Sequence, residues 1–330
     1  MINNYSYRLD KSLVGKLQDI ERLMTELHAQ KVQPAIEKIR RQKSILKSSV
    51  FSARIEGNPN TPGRVSMASV KNNQTQDKKE LGNLFKALSW VVDRSWRQSV
   101  NLSDIKKLHL LVLKELKPDA GQLRDEVSAI FNQAGVAIYV CPPPQEIPGL
   151  VSEWLDYVNN EKEPIIPIKA AVSHFVFEKI HPFMDGNGRV GRLLIHVVLK
   201  KFGYDMRGLV PFEEYLDENR QEYYDLLNLK GNDITAFVEF FLLAIATGLR
   251  RSVEARQNEP GEVLIEDSLP LRRHEILQII RDHGQVSFNF VKRRFMKVSD
   301  RLLQYDLKKL RDVGLIKKRG VTKGVIYEPV

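Results

Sequence analysis

Two apolar stretches with helical spacing lie on either side of a short loop in the middle of the chain. They cover residues 168–180 and 189–202, and only Pro182, Gly186 and Gly188 keep them from joining into one helix. Proline cannot continue a helix and glycine weakens one, so the chain must turn here. Because both stretches are rich in apolar residues, we expect two packed helices in the core of a helical domain.

Most of the remaining chain up to residue 256 also has helical periodicity, so the predicted fold class is mainly α. The predicted helices are Leu13–Lys47 with an interruption near Pro34, Ser48–Gly57, Lys78–Trp96, Asn101–Leu116 with Ser103 as N-cap, Glu146–Asn160, Glu213–Asn228 and Ile234–Arg256.

One β signal interrupts this helical pattern. Val127–Phe131 and Val136–Val140 are short apolar runs around the polar segment 132–135, and a run of prolines follows at 142–144. Such a pattern indicates two antiparallel strands joined by a four-residue turn. The body should therefore be a helical domain with one small hairpin at about 127–141.

Residues 270–330 differ from the body in both charge and pattern. From Ser268 onward there are 15 Lys/Arg against 6 Asp/Glu, so this part holds +9 of the formal net charge of +10. Three helical segments precede two alternating segments, and they span Leu271–His283, Ser287–Met296, Ser299–Val313, Gly314–Lys318 and Gly324–Glu328. This order predicts a winged helix-turn-helix, joined to the body by a polar linker at 257–269.

A basic winged helix indicates nucleic acid as a partner. The third helix would enter the major groove of DNA, and the strands would contact phosphates. The residues that would face DNA are Ser299, Asp300, Arg301, Gln304, Lys308, Lys317, Lys318 and Arg319. A protein-interaction or dimerisation module of the same fold is the alternative, and charge alone does not decide between them.

The composition is that of a folded protein from a reducing compartment. The chain is 42% hydrophobic and 28% charged, and Cys141 is its single cysteine, which excludes an internal disulfide. The polar start of the chain lacks the apolar core of a signal peptide. The most apolar stretch, Phe237–Leu249, has 13 residues and contains Glu239, too short to cross a bilayer. We expect a cytoplasmic protein without a membrane partner.

The loop between the two central helices has the composition of an anion site. Gly186 and Gly188 lack side chains, so backbone N–H groups can converge there, and the following helix adds its positive N-terminal end. Arg189 and Arg192 lie three residues apart on one face of that helix. Together these features predict a site for a polyphosphate.

Two more side chains of the loop favour chemistry on that phosphate. Asp185 is the type of group that holds Mg²⁺ between phosphates, and the imidazole of His181 titrates near neutral pH. A base, a magnesium ligand and a phosphate site within twelve residues indicate phosphate-ester chemistry on a hydroxyl nucleophile. A zinc site formed by His174 and His181 is not favoured, because a seven-residue spacing suits helix ligands poorly, and we expect His174 to pack in the core.

This stretch is similar to a known family. The Fic (filamentation induced by cAMP) family has a signature that the chain resembles at every defining position, namely His181-Pro182-Phe183-x-Asp185-Gly186-Asn187-Gly188-Arg189-x-x-Arg192. The resemblance covers roughly residues 101–256 and an N-terminal helical part. It implies a Fic-type catalytic core at 99–256, after an N-terminal helical region at 1–98.

The resemblance implies an enzyme that transfers AMP from ATP to a Ser, Thr or Tyr hydroxyl of a target protein. In this reading His181 deprotonates the hydroxyl, Asp185 holds Mg²⁺ and Phe183 anchors the loop. The residues implied to bind ATP are Gly186, Asn187, Gly188, Arg189, Val190, Gly191 and Arg192. Tyr223 and Tyr224 resemble a tyrosine pair beside the adenine, although plain helix packing explains them nearly as well.

The hairpin resembles the flap of this family, which clamps an extended segment of the target by adding a strand. Gly121-x-x-Arg124 before the hairpin also fits the family pattern. The residues implied to contact the target are Ser128, Ala129, Ile130 and Phe131. Ser128 and Phe131 replace a valine and a glycine that are frequent in the family, and this affects which targets the flap accepts.

Ser52-Ala53-Arg54-Ile55-Glu56-Gly57 resembles the inhibitory motif of the family, with Ser52, Glu56 and Gly57 at its defining positions. The resemblance implies that Glu56 pairs with Arg192 and excludes the productive pose of ATP. The alternative is an ordinary helix C-cap with a solvated glutamate.

Other functions remain compatible with the sequence. One is a Fic variant that removes AMP or transfers a phosphoryl group. Another is a DNA-binding regulator whose enzyme domain mainly modifies itself. Self-association into a homo-oligomer is a further expectation.

Overall fold

A computed structural model describes residues 4–29, 32, 34–65, 75–131, 137–258, 265–266, 269–296, 298–320 and 325–330. The chain divides into two compact units. The first consists of residues 1–31 together with 41–255, and the second of residues 32–40 together with 256–330.

The first unit is built mainly from helices, which confirms the predicted fold class. Among the described residues, no helix combines the length and the apolar content needed to cross a bilayer. The helices are α1 Lys11–Ala29, α2 Pro34–Ile55, α3 Gln76–Asp93, α4 Leu102–Leu113, α5 Ile147–Asn159, α6 Ile166–Ile180, α7 Asn187–Lys201, α8 Glu213–Glu218, α9 Arg220–Leu227 and α10 Thr235–Asn258. Residues 34–40 of α2 and 256–258 of α10 belong to the second unit.

Helices α6 and α7 form the centre of this unit. In α6 every residue from Pro167 to Ile180 is buried, and α7 is buried from Val190 to Leu199. A helix that is enclosed on all sides must be packed by several neighbours, and here α4, α5 and α3 supply much of that packing. The loop that joins α6 to α7 is therefore held between two rigid elements.

Three details of the helical prediction were wrong. Asn101, not Ser103, is the N-cap of α4, and its side chain accepts from the backbone of Ser103 and Asp104 in a capping box. The segment 213–228 is broken into α8 and α9 at Asn219. The segment before Gly57 is the end of α2 rather than a separate helix.

The predicted hairpin is present, with β1 Ala129–Phe131 and β2 Ala137–Val140 antiparallel. Ile130 pairs with Tyr139, and the register shifts between Ile130 and Phe131. The predicted turn at 132–135 lies outside the described residues. Val140 is 69% exposed, so β2 turns apolar surface toward solvent.

In the described residues from 269 to 330, the second unit has three helices and three antiparallel strands in the order β3-β5-β4. Its core includes Ile276, Leu303 and Leu307, which are almost fully buried. The elements are α11 Leu271–His283, β3 Val286–Ser287, α12 Phe288–Arg294, α13 Asp300–Asp312, β4 Ile316–Arg319 and β5 Ile326–Pro329. The short β3 was not predicted, and the winged helix remains an interpretation of this arrangement. Much of the predicted linker lies outside the described residues.

Candidate functional site

The loop between α6 and α7 is closed by the side chain of Asn187. Its Oδ1 accepts from the backbone N–H of Phe183 at 2.9 Å, and its Nδ2 donates to the Phe183 carbonyl at 2.8 Å. Gly186 has φ +78°, a left-handed conformation that favours glycine. The turn therefore depends on Asn187 and Gly186 as much as on the charged residues of the motif.

Phe183, the predicted anchor of the loop, packs in the core. Its side chain is 0% exposed and stacks on His109 with 3.7 Å between ring centroids. Nδ1 of His109 accepts from the Gly121 backbone N–H at 2.7 Å, so Nε2 holds the proton that it donates to the Asp185 carbonyl at 3.0 Å. Sequence reasoning did not single out His109, because nothing local marks a helical histidine as a support for a distant loop.

Arg192 lies at the centre of the predicted inhibitory contact. Its side chain is 1% exposed, and its Nη2 lies 2.8 Å from Oε1 of Glu56. Nε donates to the Ser52 hydroxyl at 2.9 Å, and Nη2 also donates to the Ser52 carbonyl at 2.8 Å. The structure thus brings Ser52, Glu56 and Arg192 together through the end of α2.

Glu56 is also a helix C-cap. Gly57 has φ +97°. Its N–H donates to the Arg54 carbonyl, and the N–H of Asn58 donates to the Ala53 carbonyl. These two bonds form a Schellman motif. The C-cap that the sequence offered as an alternative is therefore present, but the carboxylate bonds to Arg192 and is 29% exposed rather than fully solvated.

Gly188 permits the close approach of these two charged groups. A Cβ at this position would lie 2.5 Å from Oε1 of Glu56 and 3.1 Å from Nη1 of Arg192. A larger residue would make the Glu56 carboxylate shift, so glycine allows the contact in its present geometry.

Arg189 is held by two other carboxylates. Nη1 lies 2.5 Å from Oε1 of Glu80 on α3, and Nη2 lies 2.6 Å from Oδ1 of Asp185. Oε2 of Glu80 accepts from the side chain of Asn58 at 2.7 Å. Glu80 and Asn58 were not predicted, since their role depends on contacts between residues far apart in the sequence.

His181 ends α6 with a left-handed backbone, at φ +49°. Its N–H still donates to the Phe177 carbonyl at 3.0 Å, as in a helix. Burial lowers the pKa of the imidazole below its ordinary value, and the positive charge of Arg124 acts in the same direction. A neutral imidazole at physiological pH is the form that can accept a proton.

Asp185, the predicted magnesium ligand, is ionised and partly exposed at the start of the loop. Burial opposes its ionisation, but Arg189 and the Gly186 amide outweigh this effect and hold the pKa of Asp185 below its ordinary value. Oδ2 has Lys117 as a neighbour, at 3.5 Å. Within the described residues there is no cluster of three or more His, Cys, Asp or Glu that could hold a metal alone.

A buried polar cluster lies behind Arg192. Nε2 of His174 and the hydroxyl of Tyr223 are 2.8 Å apart, and burial lowers the pKa of His174 to about 3. Burial raises the pKa of Glu178 to about 8. A Cβ at Gly191 would overlap with the Glu178 carboxyl. Gly191 thus makes room for the buried Glu178 carboxyl.

The remaining predicted ATP and target residues are placed as follows. Val190 and Tyr223 are almost fully buried, so core packing already accounts for both. The Tyr224 hydroxyl donates to the Ile55 carbonyl at 2.9 Å, close to Glu56. Ser128, Ala129 and Ile130 are half-buried, and the Ser128 carbonyl accepts from the backbone of Cys141. Contacts of these residues with adenine or with a target stay predictions.

Residues 99–199 match the model of the Fic/DOC family. A protein named protein adenylyltransferase Fic from Drosophila willistoni is 34% identical over 145 residues, which are 43% of this chain and 27% of that protein. A protein of the same name from Nematostella vectensis is 31% identical over 162 residues, which are 48% of this chain and 34% of that protein. The chain therefore spans about a third or less of these relatives.

A likeness of fold extends over nearly the whole chain. The crystal structure of a Fic family protein from Desulfovibrio desulfuricans G20 superposes with a TM-score of 0.67 and covers 99% of this chain and 98% of that one. The two sequences are 22% identical, so this comparison concerns the fold alone.

Proposed function

The chain carries a Fic/DOC domain at residues 99–199, and from this premise we propose that it transfers AMP from ATP to a Ser, Thr or Tyr hydroxyl of a target protein. The observation that carries the proposal is the arrangement of two arginines and glycine backbone at the start of α7, next to His181. Such a site concentrates positive charge for a polyphosphate beside a base. The names of the two relatives support the same activity.

The proposed reaction needs one proton transfer and one displacement. His181 accepts the proton of the target hydroxyl, and the oxygen attacks the α-phosphorus of ATP. A new oxygen–phosphorus bond forms as the bond to pyrophosphate breaks. Arg189 and Arg192 neutralise the negative charge of the terminal phosphates, while the Gly186–Gly188 backbone donates to phosphate oxygens.

Asp185 is the residue that would hold Mg²⁺ in this site. A magnesium ion usually has one or two carboxylate ligands and takes its other ligands from phosphates and water. A single carboxylate, kept ionised by its neighbours and partly exposed, fits that requirement. When bound, the metal supplies charge neutralisation between phosphates.

Glu56 inhibits this reaction in the proposed scheme. Arg192 cannot hold a terminal phosphate while its guanidinium bonds to Glu56 at 2.8 Å. The carboxylate and a phosphate would compete for the same donors, and a charge-assisted arginine contact is strong when water is excluded. ATP would then bind only in a pose that does not react.

Labelled ATP tests the proposal directly. The full chain and its Glu56→Gly variant are incubated with Mg-ATP labelled at the α-phosphate or at the γ-phosphate, alone and with a cell lysate. We expect only the α-label to stay on protein, more strongly with Glu56→Gly, and no label with the Glu56→Gly/His181→Ala double variant. Retention of the γ-label would indicate phosphoryl transfer, and absence of both labels would reject AMP transfer.

Loss of AMP from already modified protein, measured in the same assay without ATP, would favour the removal of AMP instead. A cytoplasmic location and self-association of the chain also stay proposals. The first is consistent with Cys141 as the single cysteine, which is buried and free.

A second proposed function concerns DNA binding by the second unit. Residues 268–330 hold a formal charge of +9, and three of the residues expected to face DNA, namely Arg301, Gln304 and Lys308, are exposed on α13. An exposed polar helix face in a basic unit is the arrangement that the recognition helix of a winged helix needs.

A further inference from the structure

Arg124 has an unusual set of partners for a buried arginine. The side chain is 3% exposed, and it donates to backbone carbonyls only. Nε donates to His181 at 2.7 Å, Nη1 to Glu126 at 2.9 Å and Nη2 to Pro142 at 2.5 Å. Its own backbone N–H donates to the Pro182 carbonyl at 3.0 Å.

These carbonyls belong to two functional parts of the domain. His181 and Pro182 begin the loop that contains the proposed base, whereas Glu126 and Pro142 lie just before and just after the hairpin. A guanidinium is planar and presents its donors in a fixed fork. One rigid group therefore fixes both ends of the hairpin relative to the carbonyl of His181.

The contact with His181 acts on a residue whose backbone is unusual. A non-glycine residue at φ +49° is sparsely populated and persists only when surrounding contacts hold it. The direction of the His181 imidazole depends on this backbone. The hydrogen bond from Nε of Arg124 to the His181 carbonyl restrains the same backbone.

A second contact ties the hairpin to the same end of α6. The hydroxyl of Tyr139 on β2 donates to the Lys179 carbonyl at 2.9 Å. Nζ of Lys179 lies 4.5 Å from the centre of the Tyr139 ring. Arg124 and Tyr139 thus connect the hairpin to the end of α6 and to the loop that follows it.

We infer that Arg124 is a positioning residue that sets the spacing between the hairpin and His181. The inference rests on the proposed function, in which His181 takes the proton of the target hydroxyl, and on the resemblance of the hairpin to a flap that clamps a segment of the target. An error of about 1 Å in such a spacing can lower a rate by ~10²-fold. The nucleotide itself is held elsewhere, by α7 and its arginines.

The test uses the full chain with Glu56→Gly as parent, and compares Arg124→Lys with Arg97→Lys, a control at an exposed arginine of the same unit. Lysine keeps the charge but cannot bridge the carbonyls. We expect the rate constant of AMP transfer at saturating Mg-ATP to fall at least ~30-fold in Arg124→Lys. The KM for ATP should change less than ~3-fold, because the residues that bind the nucleotide are unaffected. A purely structural role would instead lower thermal stability and change both parameters.

Hydrogen exchange separates this inference from the proposed function, because it needs no turnover. In Arg124→Lys, backbone amides of 126–131 and 137–141 should exchange faster than in the control, whether or not the parent transfers AMP. Tyr139→Phe provides a milder variant if Arg124→Lys does not fold, with a smaller loss of rate and the same unchanged KM. Unchanged exchange, or unchanged rate in an active parent, would overturn the inference.

Discussion

Oε1 of Glu80 lies 2.5 Å from Nη1 of Arg189, and Oε1 of Glu56 lies 2.8 Å from Nη2 of Arg192. Each arginine in the first turns of α7 is therefore paired with a carboxylate from another part of the chain. The two carboxylates differ in setting. Glu56 is the C-cap of α2 and 29% exposed, whereas Glu80 is 14% exposed and lies next to the fully buried Leu81. A residue at a helix end can leave its partner more easily than one fixed by a packed helix. We therefore expect opposite roles for the two carboxylates.

Glu80→Gln should weaken the binding of Mg-ATP, in contrast to Glu56→Gly, which should strengthen it. Removal of the Glu80 charge leaves the buried Arg189 with one fewer charge-assisted bond. The guanidinium of Arg189 then loses its fixed orientation. Affinity should fall about tenfold in a Glu56→Gly parent, as expected for the loss of one such bond. Calorimetry with a non-hydrolysable ATP analogue measures the change.

Asp93→Asn, at the exposed end of the same helix, is the matched control for this experiment. Tighter binding by Glu80→Gln would mean that Glu80 competes with phosphate, as Glu56 is proposed to do.

His181→Ala should abolish turnover without loss of nucleotide binding. The imidazole is the proposed base, while the phosphates are held by α7, so the two properties reside in different residues. We expect the rate to fall by ~10²–10⁴-fold in a Glu56→Gly parent, the usual contribution of a general base. Affinity for the ATP analogue, measured by calorimetry, serves as the control. A variant that binds the analogue and retains normal turnover would exclude His181 as the base.

The pH dependence of the rate should follow the lowered pKa of His181. Because burial lowers this pKa, the imidazole stays neutral at pH values where free histidine is already protonated. The acidic decline of the rate at saturating Mg-ATP should therefore be centred below the ordinary histidine pKa of about 6.5. Glu56 raises the pKa of His181, so its removal should move the decline to still lower pH. A decline centred above neutral pH would contradict this assignment.

Glu178→Gln should stabilise the protein at mildly alkaline pH. Burial raises the pKa of Glu178 from 4.5 to about 8. Between these values the unfolded chain has lost a proton that the folded chain keeps, so stability falls as pH rises through this window. Glutamine cannot ionise and removes that loss. Thermal unfolding should show a higher midpoint for Glu178→Gln at pH 8 and a much smaller difference at pH 5, whereas Glu153→Gln at an exposed site should show neither.

Local patterns predicted the elements that position the site. Helices α6 and α7 follow from apolar periodicity, and the turn between them follows from Pro182 and Gly186. Local patterns also predicted the break between the helices before Pro34 and the hairpin. Errors arose where two neighbours had similar propensity, as with Asn101 and Ser103, which both suit an N-cap.

Contacts across long sequence distances could not be predicted in this way. Glu80 meets Arg189 across 109 residues, and Arg124 meets His181 across 57. A glutamate on a polar helix start and an arginine before a hairpin have no periodicity that reveals a partner. The packing of α3 against α7 brings Glu80 to the loop, and Arg124 reaches it through the His181 carbonyl.

DNA binding by the second unit should depend on Lys317 and Lys318, which are exposed on β4. Each lysine that meets a phosphate releases about one counterion from duplex DNA. Changing both to glutamate in the full chain should weaken binding of a short fluorescent duplex for every sequence and reduce the salt slope by about two. Lys107→Glu/Lys230→Glu, at exposed sites of the first unit, has the same change in charge. Equal effects of the two double variants would show that only net charge matters and would exclude β4 as the phosphate-contacting strand.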